Sequence, residues 1–295
     1  MYQACDQFIK DYSSTSSFNN IIENSPLNIE LIKNLSEDSY ADFILENTFT
    51  IFKSINNNLY LVYSNYHKSI ILYNINTYKK INEIKNAHQS FITNFRHYFD
   101  RINKRDIVLS ISCRDSNVKL WDNRNYQCIL NLKTDESYDS LAYSACLFED
   151  KNNNYIVVGN YNHNNNFIKV YNLDGNTSKI MNNNETEVYF VCVYCDKSNK
   201  NYIISGNLNN IKSFDYDSGK LYKEYNQSYP NGAHNSIIIK EDNITKLLES
   251  CTDGFIRIWD FHNGKLLDKI EVDSDKLFSI FLWNNKYLFN KPSKI

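Results

Sequence analysis

Short stretches in which apolar and polar residues alternate recur along most of the chain, and turn residues separate them. Between Phe91 and Lys133 this pattern predicts four strands. They cover Phe91–Phe99, Asp106–Cys113, Asn117–Asp122 and Gln127–Lys133. Alternation with a period of two residues is typical of half-buried strands, and no sustained helical periodicity intervenes. The pattern therefore predicts an all-β protein.

The third of these strands belongs to a unit that repeats. The segment RDSNVKLWDNR spans Arg114–Arg124, and DGFIRIWDF (Asp253–Phe261) is nearly the same. Weaker copies are KSIILYNI (Lys68–Ile75), FIKVYNL (Phe167–Leu173) and NIKSFDY (Asn210–Tyr216). Each copy has an aromatic anchor followed by Asp or Asn, and the anchors are Tyr73, Trp121, Tyr171, Phe214 and Trp259. Their spacings of 48, 50, 43 and 45 residues indicate a repeat architecture.

Four short antiparallel strands in each repeat match one blade of a β-propeller. With its Trp-Asp pair, the unit resembles the WD-repeat family, and the resemblance covers roughly Asn28 to Leu288. It implies a structural hydrogen-bond network of a His, a strand Ser or Thr, a turn Asp and the Trp. The matching residues are His88, Asp115 and Trp121 in one unit and His234, Asp253 and Trp259 in the other. By alignment, the Ser or Thr position falls on Ile111 in the first unit and on Glu249 in the second.

The ends of the chain leave the blade number open. Five full repeats run from about Thr48 to Val272, and two further strands, KLFSIFLW and KYLFN, follow them. The segment LNIELIKNL (Leu27–Leu35) is predicted to be an outer strand that completes a split closing blade. The ring then has six blades, or it is a truncated ring of seven. We expect residues 1–26 to form a tail and residues 27–295 to form the propeller.

Composition excludes several functional classes. A net charge of −2 gives no electrostatic footprint for nucleic acid or anionic membranes. The first residues lack the pattern of a signal peptide, and no stretch has the length of a membrane span. Seven irregularly spaced cysteines do not form a disulfide framework, which indicates a reducing compartment. We expect an intracellular, cytoplasmic protein, with the nucleus as an alternative.

No motif points to catalysis, a cofactor or a metal. CVYC (Cys192–Cys195) lies in an alternating strand, where residues three apart point to opposite faces. Neither a metal-binding His spacing, a nucleophile elbow nor a phosphate loop occurs. The densest basic segment, FDRINKRD (Phe99–Asp106), is predicted to be a solvated turn between two strands, with partner or nucleic-acid contact as the alternative.

Arg124 is the candidate partner contact. It stands two residues after the Asp of the Trp-Asp pair, where WD-repeat substrate receptors of cullin-type ubiquitin ligases carry an Arg that contacts the ligase adaptor. His262 takes this place in the other good repeat. The ligase hypothesis requires an exposed and unpaired Arg124, and the alternative is an intrachain pair with an acidic neighbour.

The sequence as a whole favours a protein that binds and does not catalyse. Strands carry the structure of a repeat protein, while its loops are free to carry specificity. We expect a non-catalytic scaffold that presents propeller loops to protein partners in a multiprotein complex. The alternative is a ubiquitin-ligase substrate receptor that uses the motif Trp121–Arg124. The sequence does not identify the partners.

Overall fold

The computed structural model describes most of the chain from residue 49 onward. The described residues are 49–64, 68–112, 115–134, 141–161, 167–181, 187–207, 209–226, 233–241, 244–251, 253–271, 279–283 and 286–290. The predicted tail (residues 1–26) and the predicted outer strand Leu27–Leu35 lie outside them. Both segments remain predictions.

Five four-stranded antiparallel sheets follow one another along the chain, and in each of them the strands pair in sequence order. Sheet 1 contains β1 (Phe49–Lys53), β2 (Leu59–Ser64), β3 (Ile70–Asn74) and β4 (Lys79–Ile84). Sheet 2 contains β5 (Asn94–Asp100), β6 (Arg105–Ser112), β7 (Asn117–Asp122) and β8 (Gln127–Lys133). Sheet 3 contains β9 (Leu141–Asp150), β10 (Asn153–Tyr161), β11 (Phe167–Asn172) and β12 (Thr177–Met181).

The remaining strands continue the pattern. Sheet 4 contains β13 (Phe190–Cys195), β14 (Asn201–Gly206), β15 (Ile211–Asp215) and β16 (Leu221–Tyr225). Sheet 5 contains β17 (Ala233–Glu241), β18 (Ile244–Cys251), β19 (Phe255–Asp260) and β20 (Leu266–Glu271). A C-terminal hairpin of β21 (Ser279–Trp283) and β22 (Lys286–Asn290) follows. The predicted all-β class and the five four-stranded units are confirmed.

The pairing register places the five aromatic anchors at equivalent positions. In every sheet the ladder between the third and fourth strands shifts register immediately before the anchor, as it does between Leu120 and Trp121. Such a bulge bends the strand and increases its local twist. The repeat read from the sequence is therefore also a repeat of backbone geometry.

Successive sheets stack face to face through apolar clusters. One cluster joins sheets 1 and 2, and similar clusters join sheet 2 to 3, sheet 3 to 4 and sheet 4 to 5. The first strands of the five sheets and β21 lie beside one another in chain order, as an inner row. The turn between the first two strands and the turn between the last two lie at the same end of each sheet. We call this end the turn face.

Candidate functional site

The hydrogen-bond network of sheet 2 is centred on Ser110. The indole Nε1 of Trp121 donates to Ser110 Oγ at 2.8 Å, and His88 Nε2 lies 2.8 Å from the same oxygen. All three side chains are buried, and Ser110 has no exposed surface. An indole N–H only donates, so the serine oxygen accepts from Trp121 and its own proton is free to go to His88.

Asp115 completes this network from the turn between β6 and β7. Its Oδ2 lies 3.5 Å from His88 Nδ1, an electrostatic contact longer than a good hydrogen bond. The same carboxylate accepts the backbone amides of Gln89 at 2.9 Å and Asn117 at 3.1 Å. Burial alone would raise the pKa of Asp115, but the His88 contact and the two amides lower it. Asp115 thus ties the turn to the connection that precedes sheet 2.

The sequence alignment placed the hydroxyl position of this unit wrongly, on Ile111. The residue in that position is Ser110, and Ile111 belongs to the apolar cluster between sheets 2 and 3. Ser110 lies opposite Lys119, two residues before Trp121, as Glu249 lies opposite Arg257, two residues before Trp259. Ser110 and Glu249 are therefore the equivalent pair.

Sheet 5 replaces the hydroxyl with a carboxylate. Trp259 Nε1 donates to Glu249 Oε2 at 2.8 Å, and both residues are buried. The fully buried Arg257 forms a two-pronged ion pair with Asp253, which also accepts the backbone amide of Phe255 at 3.2 Å. His234 lies on β17, but its side chain is outside the described residues. Here Trp259 is held by an ionisable group instead of a hydroxyl.

Burial raises the pKa of Glu249 to about 7, although the Trp259 hydrogen bond and the Arg257 charge oppose the shift. The folded protein therefore keeps this proton up to about pH 7, whereas an unfolded Glu releases it near its ordinary value of 4.5. The stability that protonated Glu249 contributes is largest below pH 4.5. It falls as the pH rises from 4.5 to about 7.

We therefore expect Glu249→Gln to flatten the pH dependence of stability. Between pH 5 and pH 7.5 the wild type should lose on the order of 2 kcal/mol of unfolding free energy more than the variant. Urea denaturation at both pH values measures the difference, with the exposed Glu271→Gln as the matched control. Parallel pH profiles for Glu249→Gln and wild type would contradict a raised pKa at this residue.

Arg124 is exposed, but it is paired with Asp122. The prediction of an unpaired Arg124, which the ligase hypothesis requires, was therefore wrong. Its side chain is 58% exposed, yet Nη2 donates to Asp122 Oδ2 at 2.6 Å and Nε donates to Oδ1 at 3.0 Å. Asp122 also accepts the Arg124 backbone amide at 2.9 Å. The guanidinium bends back because the turn brings it within reach of a carboxylate that is only 2% exposed. Hydrogen bonds from Arg124 lower the pKa of Asp122 despite its burial.

The pair is one end of a charge ladder that crosses sheet 2. Arg105 Nη1 donates to Asp122 at 3.0 Å, and Arg105 Nε donates to Asp100 at 3.0 Å. Asp100 has no exposed surface and also accepts the side chain of Asn154 in sheet 3 at 2.9 Å. The ladder therefore links two turns and two sheets at the turn face.

The basic segment Phe99–Asp106 spans the turn between β5 and β6, in agreement with the predicted turn between two strands. Its acidic ends, Asp100 and Asp106, are buried and hydrogen-bonded within the protein. Arg101 and Lys104 are exposed, and neither has an ion-pair partner among the described residues. Ile102 between them is 49% exposed. The tip of this turn is therefore cationic with an apolar centre.

The acidic residue of each Trp-Asp or Phe-Asp pair has a turn-capping role that the sequence reasoning missed. Asp122 accepts the amide of Arg124, Asp215 accepts that of Ser218, and Asp260 accepts those of His262 and Asn263. Asp and Asn favour turns through such side-chain bonds. The signal was present, because each pair directly precedes a turn between the third and fourth strands.

The two cysteines of CVYC contact different parts of the protein. Cys192 Sγ lies 3.4 Å from Ser236 Oγ in sheet 5, while the exposed Cys195 contacts the carbonyl of Asp196. Burial raises the pKa of Cys192 to about 11 and also raises that of Cys195. Among the described residues, no group of three or more His, Cys, Asp or Glu is arranged to hold a metal ion. The described residues also include no helix with the length and apolar character of a membrane span.

Comparison with known proteins gives a distant relative. No family model matches the chain. Mitochondrial division protein 1 of Candida glabrata, a WD-repeat protein, is 23% identical to this chain over an alignment of 234 residues. The alignment covers 70% of this chain and 31% of the relative. The chain thus spans about a third of that protein's length. Together with the repeated sheets, this finding is consistent with a WD-repeat β-propeller.

A solved structure supports the fold alone. The crystal structure of the computationally designed Ika8 protein aligns with a TM-score of 0.59 at 18% identity. The alignment covers 82% of this chain and 67% of the designed one.

Proposed function

We propose that this chain is a WD-repeat β-propeller that acts as a non-catalytic protein-interaction scaffold in an intracellular multiprotein complex. The observation that carries the proposal is that sheet 2 uses its motif side chains for structure and leaves a turn tip exposed. The repeat-motif side chains Trp121, Asp115 and Asp122 are used in internal hydrogen bonds, while the tip of the β5–β6 turn is exposed. A rigid sheet with free turn tips is suited to binding proteins.

In this proposal the ring closes through both ends of the chain. The hairpin β21–β22 packs beside β17 and continues the inner row. Leu27–Leu35 would add the outer strand of this closing blade, which gives six blades; a truncated seven-bladed ring is the alternative. Closure would remove the exposed sheet edges that otherwise invite aggregation.

The native size of the chain tests the scaffold proposal. We expect the protein in gently prepared cell extract to elute from a size-exclusion column well above its own mass of 34.8 kDa. The purified protein, run alone on the same column, is the control for self-association. Elution of the cellular protein at the monomer position would contradict membership of a stable complex.

A ubiquitin-ligase substrate receptor is the second candidate function. It is favoured by the 58% exposure of the Arg124 side chain, whereas the pairing with Asp122 does not meet the requirement for an unpaired arginine. The Asp122 bonds use Nε and Nη2, and a ligase adaptor would bind the exposed remainder of the guanidinium. Asp122 keeps its hydrogen bond from Arg105 when Arg124 is absent, so the exposed guanidinium is free to serve binding.

We therefore expect Arg124→Ala to leave the melting temperature within about 2 °C, because Arg124 is exposed and Asp122 keeps its hydrogen bond from Arg105. Affinity purification followed by mass spectrometry should show selective loss of a ligase adaptor from the variant. Lys133→Ala, which removes an exposed cation at the opposite end of sheet 2, is the matched control. An unchanged set of partners would exclude the ligase function for this motif.

A further inference from the structure

A slot between sheets 1 and 2 lies beside the anchor Trp121. Most of the side chains that line it are apolar and come from both sheets. Leu72 of sheet 1 and Val108 of sheet 2 are buried within it, whereas Ile84 and Tyr126 are only partly buried. The slot is therefore partly open to solvent, and its interior is apolar.

The slot lies where the following sheets carry an apolar residue, two positions after the anchor. In sheets 3, 4 and 5 this residue packs into the cluster that joins its sheet to the preceding one, and it is Leu173, Tyr216 and Phe261. In sheet 2 it is Asn123, which lines the slot and is partly exposed. The backbone position is the same, because the amides of Asn123, Tyr216 and Phe261 all donate to a second-strand carbonyl at 2.9–3.0 Å. A polar residue thus replaces the apolar plug.

The outer strand of sheet 1 also leaves this space unfilled. Ile84 on β4 and Tyr225 on β16 are equivalent, because each pairs with the residue three positions before the anchor of its sheet. The Tyr225 hydroxyl donates to the Phe261 carbonyl at 2.6 Å, and its ring packs edge-on against Trp259 at a centroid distance of 6.0 Å. Ile84 has neither the ring nor the hydroxyl. Both sides of the slot therefore carry a smaller or more polar residue than the boundary between sheets 4 and 5.

Cations border the slot at the turn face. Asp122 is one of the lining residues, and it accepts hydrogen bonds from Arg124 and from Arg105. The bonds from the Arg124 side chain use Nε and Nη2, so the Nη1 donors of this exposed guanidinium are left for another acceptor. Arg105 ends the β5–β6 turn, whose tip is cationic. An acidic group is therefore the favoured neighbour of an apolar side chain in the slot.

We propose that the slot docks a partner segment through one large apolar side chain, leucine or an aromatic residue, with an adjacent Asp or Glu that pairs with Arg124. Leucine and aromatic side chains are the types that fill the equivalent position in sheets 3, 4 and 5. A large apolar side chain that leaves water in a pocket is a typical anchor of a protein interface, and Arg124 adds a charge-assisted hydrogen bond. This inference rests on the proposed scaffold function and names the chemistry of its partner.

Selection of a random peptide library on the purified full chain tests the slot. We expect enriched peptides to share a Leu, Phe or Tyr next to an Asp or Glu, and fluorescence anisotropy of one labelled peptide measures its affinity. Asn123→Phe places the residue of sheet 5 in the slot, so it should keep or raise the melting temperature and weaken the peptide at least about tenfold. Asn125→Phe adds the same ring to an exposed position of the same turn, and it should bind like the wild type.

Two further variants separate the apolar contact from the charge. Ile84→Phe fills the slot from the other side, and it replaces Asn123→Phe should that variant not fold. Arg124→Ala should weaken the acidic peptide several-fold, and it should bind the peptide with its acid changed to the amide as the wild type does. Exchange of the large apolar residue of the peptide for Ala should abolish binding.

The outcomes separate this inference from the scaffold proposal. No enriched peptides of this kind, or equal affinity for the wild type and for a folded slot-filling variant, would overturn the slot as a docking site. Elution of the cellular protein in a large complex would in that case leave the scaffold proposal standing. Peptide binding by a chain that elutes from cell extract as a monomer would support the slot and contradict the stable complex.

Discussion

If the ring closes as proposed, deletion of residues 1–35 should lower the free energy of unfolding of the whole protein by several kcal/mol. Sheet 1 carries an apolar cluster that is made of its own residues alone, on strands β1 to β3 and at Ile75. The buried members of this cluster are Leu59, Leu61, Tyr63, Ile71 and Ile75. If Leu27–Leu35 helps to complete the blade that covers this face, its removal returns these side chains to water. Each large apolar side chain that becomes fully exposed costs about 1.5–3 kcal/mol.

A shorter deletion provides the matched control. Removal of residues 1–26 takes away the predicted tail but leaves the predicted strand, so its urea denaturation curve should coincide with that of the full chain. Circular dichroism and tryptophan fluorescence should report one shared transition at lower urea for the 1–35 deletion. Equal stability of the two deletion variants would mean that Leu27–Leu35 does not close the ring.

Replacement of Ser110 by Ala is the substitution with the largest expected effect on stability in the repeat network. The serine oxygen binds the indole of Trp121 and the imidazole of His88, and all three groups are buried. Alanine leaves both nitrogens without this partner in a site closed to water. Each buried polar group that loses its hydrogen bond costs about 1–3 kcal/mol. The melting temperature should therefore fall by several degrees.

Ser198→Ala is the control for this substitution. Ser198 is exposed in the turn after β13, and its hydroxyl binds Asp196 at 2.7 Å. Its loss should change stability by less than ~0.5 kcal/mol. Asp115→Ala should resemble Ser110→Ala, because it removes the carboxylate beside His88 and the acceptor for two backbone amides. A Ser110→Ala melting curve that overlays the wild type would show that the network does not hold sheet 2 together.

Local pattern was sufficient to predict the strands. The predicted strands Asn117–Asp122 and Gln127–Lys133 agree with β7 and β8 residue for residue, and the first two strands of sheet 2 were displaced by one to three residues. The aromatic anchors were found because an aromatic residue followed by Asp or Asn recurs every 43 to 50 residues, and each anchor directly follows a register shift. Periodicity and turn residues are properties of short segments, so one sequence is enough to show them.

The alignment error at Ser110 has a physical origin. β6 is buried on both faces, so its sequence lacks the hydrophobic alternation that normally fixes which side a residue faces. Serines at 110 and 112 flank Ile111, and a slip of one residue moves a side chain to the opposite face. The pairing of Ser110 with Lys119, two residues before Trp121, and the hydrogen bond from the Trp121 indole identify the correct serine.

Contacts between distant segments were beyond the sequence pattern. The pairing of Arg124 with Asp122 depends on how the turn folds back, and the ladder to Arg105 and Asp100 depends on two turns meeting at one end of the sheet. Such juxtapositions follow from tertiary packing and leave no periodic signal in the sequence.

Affinity purification with quantitative mass spectrometry on charge-reversed variants tests the scaffold proposal most directly. Arg101→Glu/Lys104→Glu reverses the exposed cations of the β5–β6 turn. Lys85→Glu/Lys133→Glu makes the same change in net charge with two exposed lysines at the opposite end of sheets 1 and 2. If the turn face binds protein partners, the first variant loses co-purifying proteins that the second retains. Identical recoveries from both variants and the wild type, or no reproducible partner for any of them, would contradict the proposal.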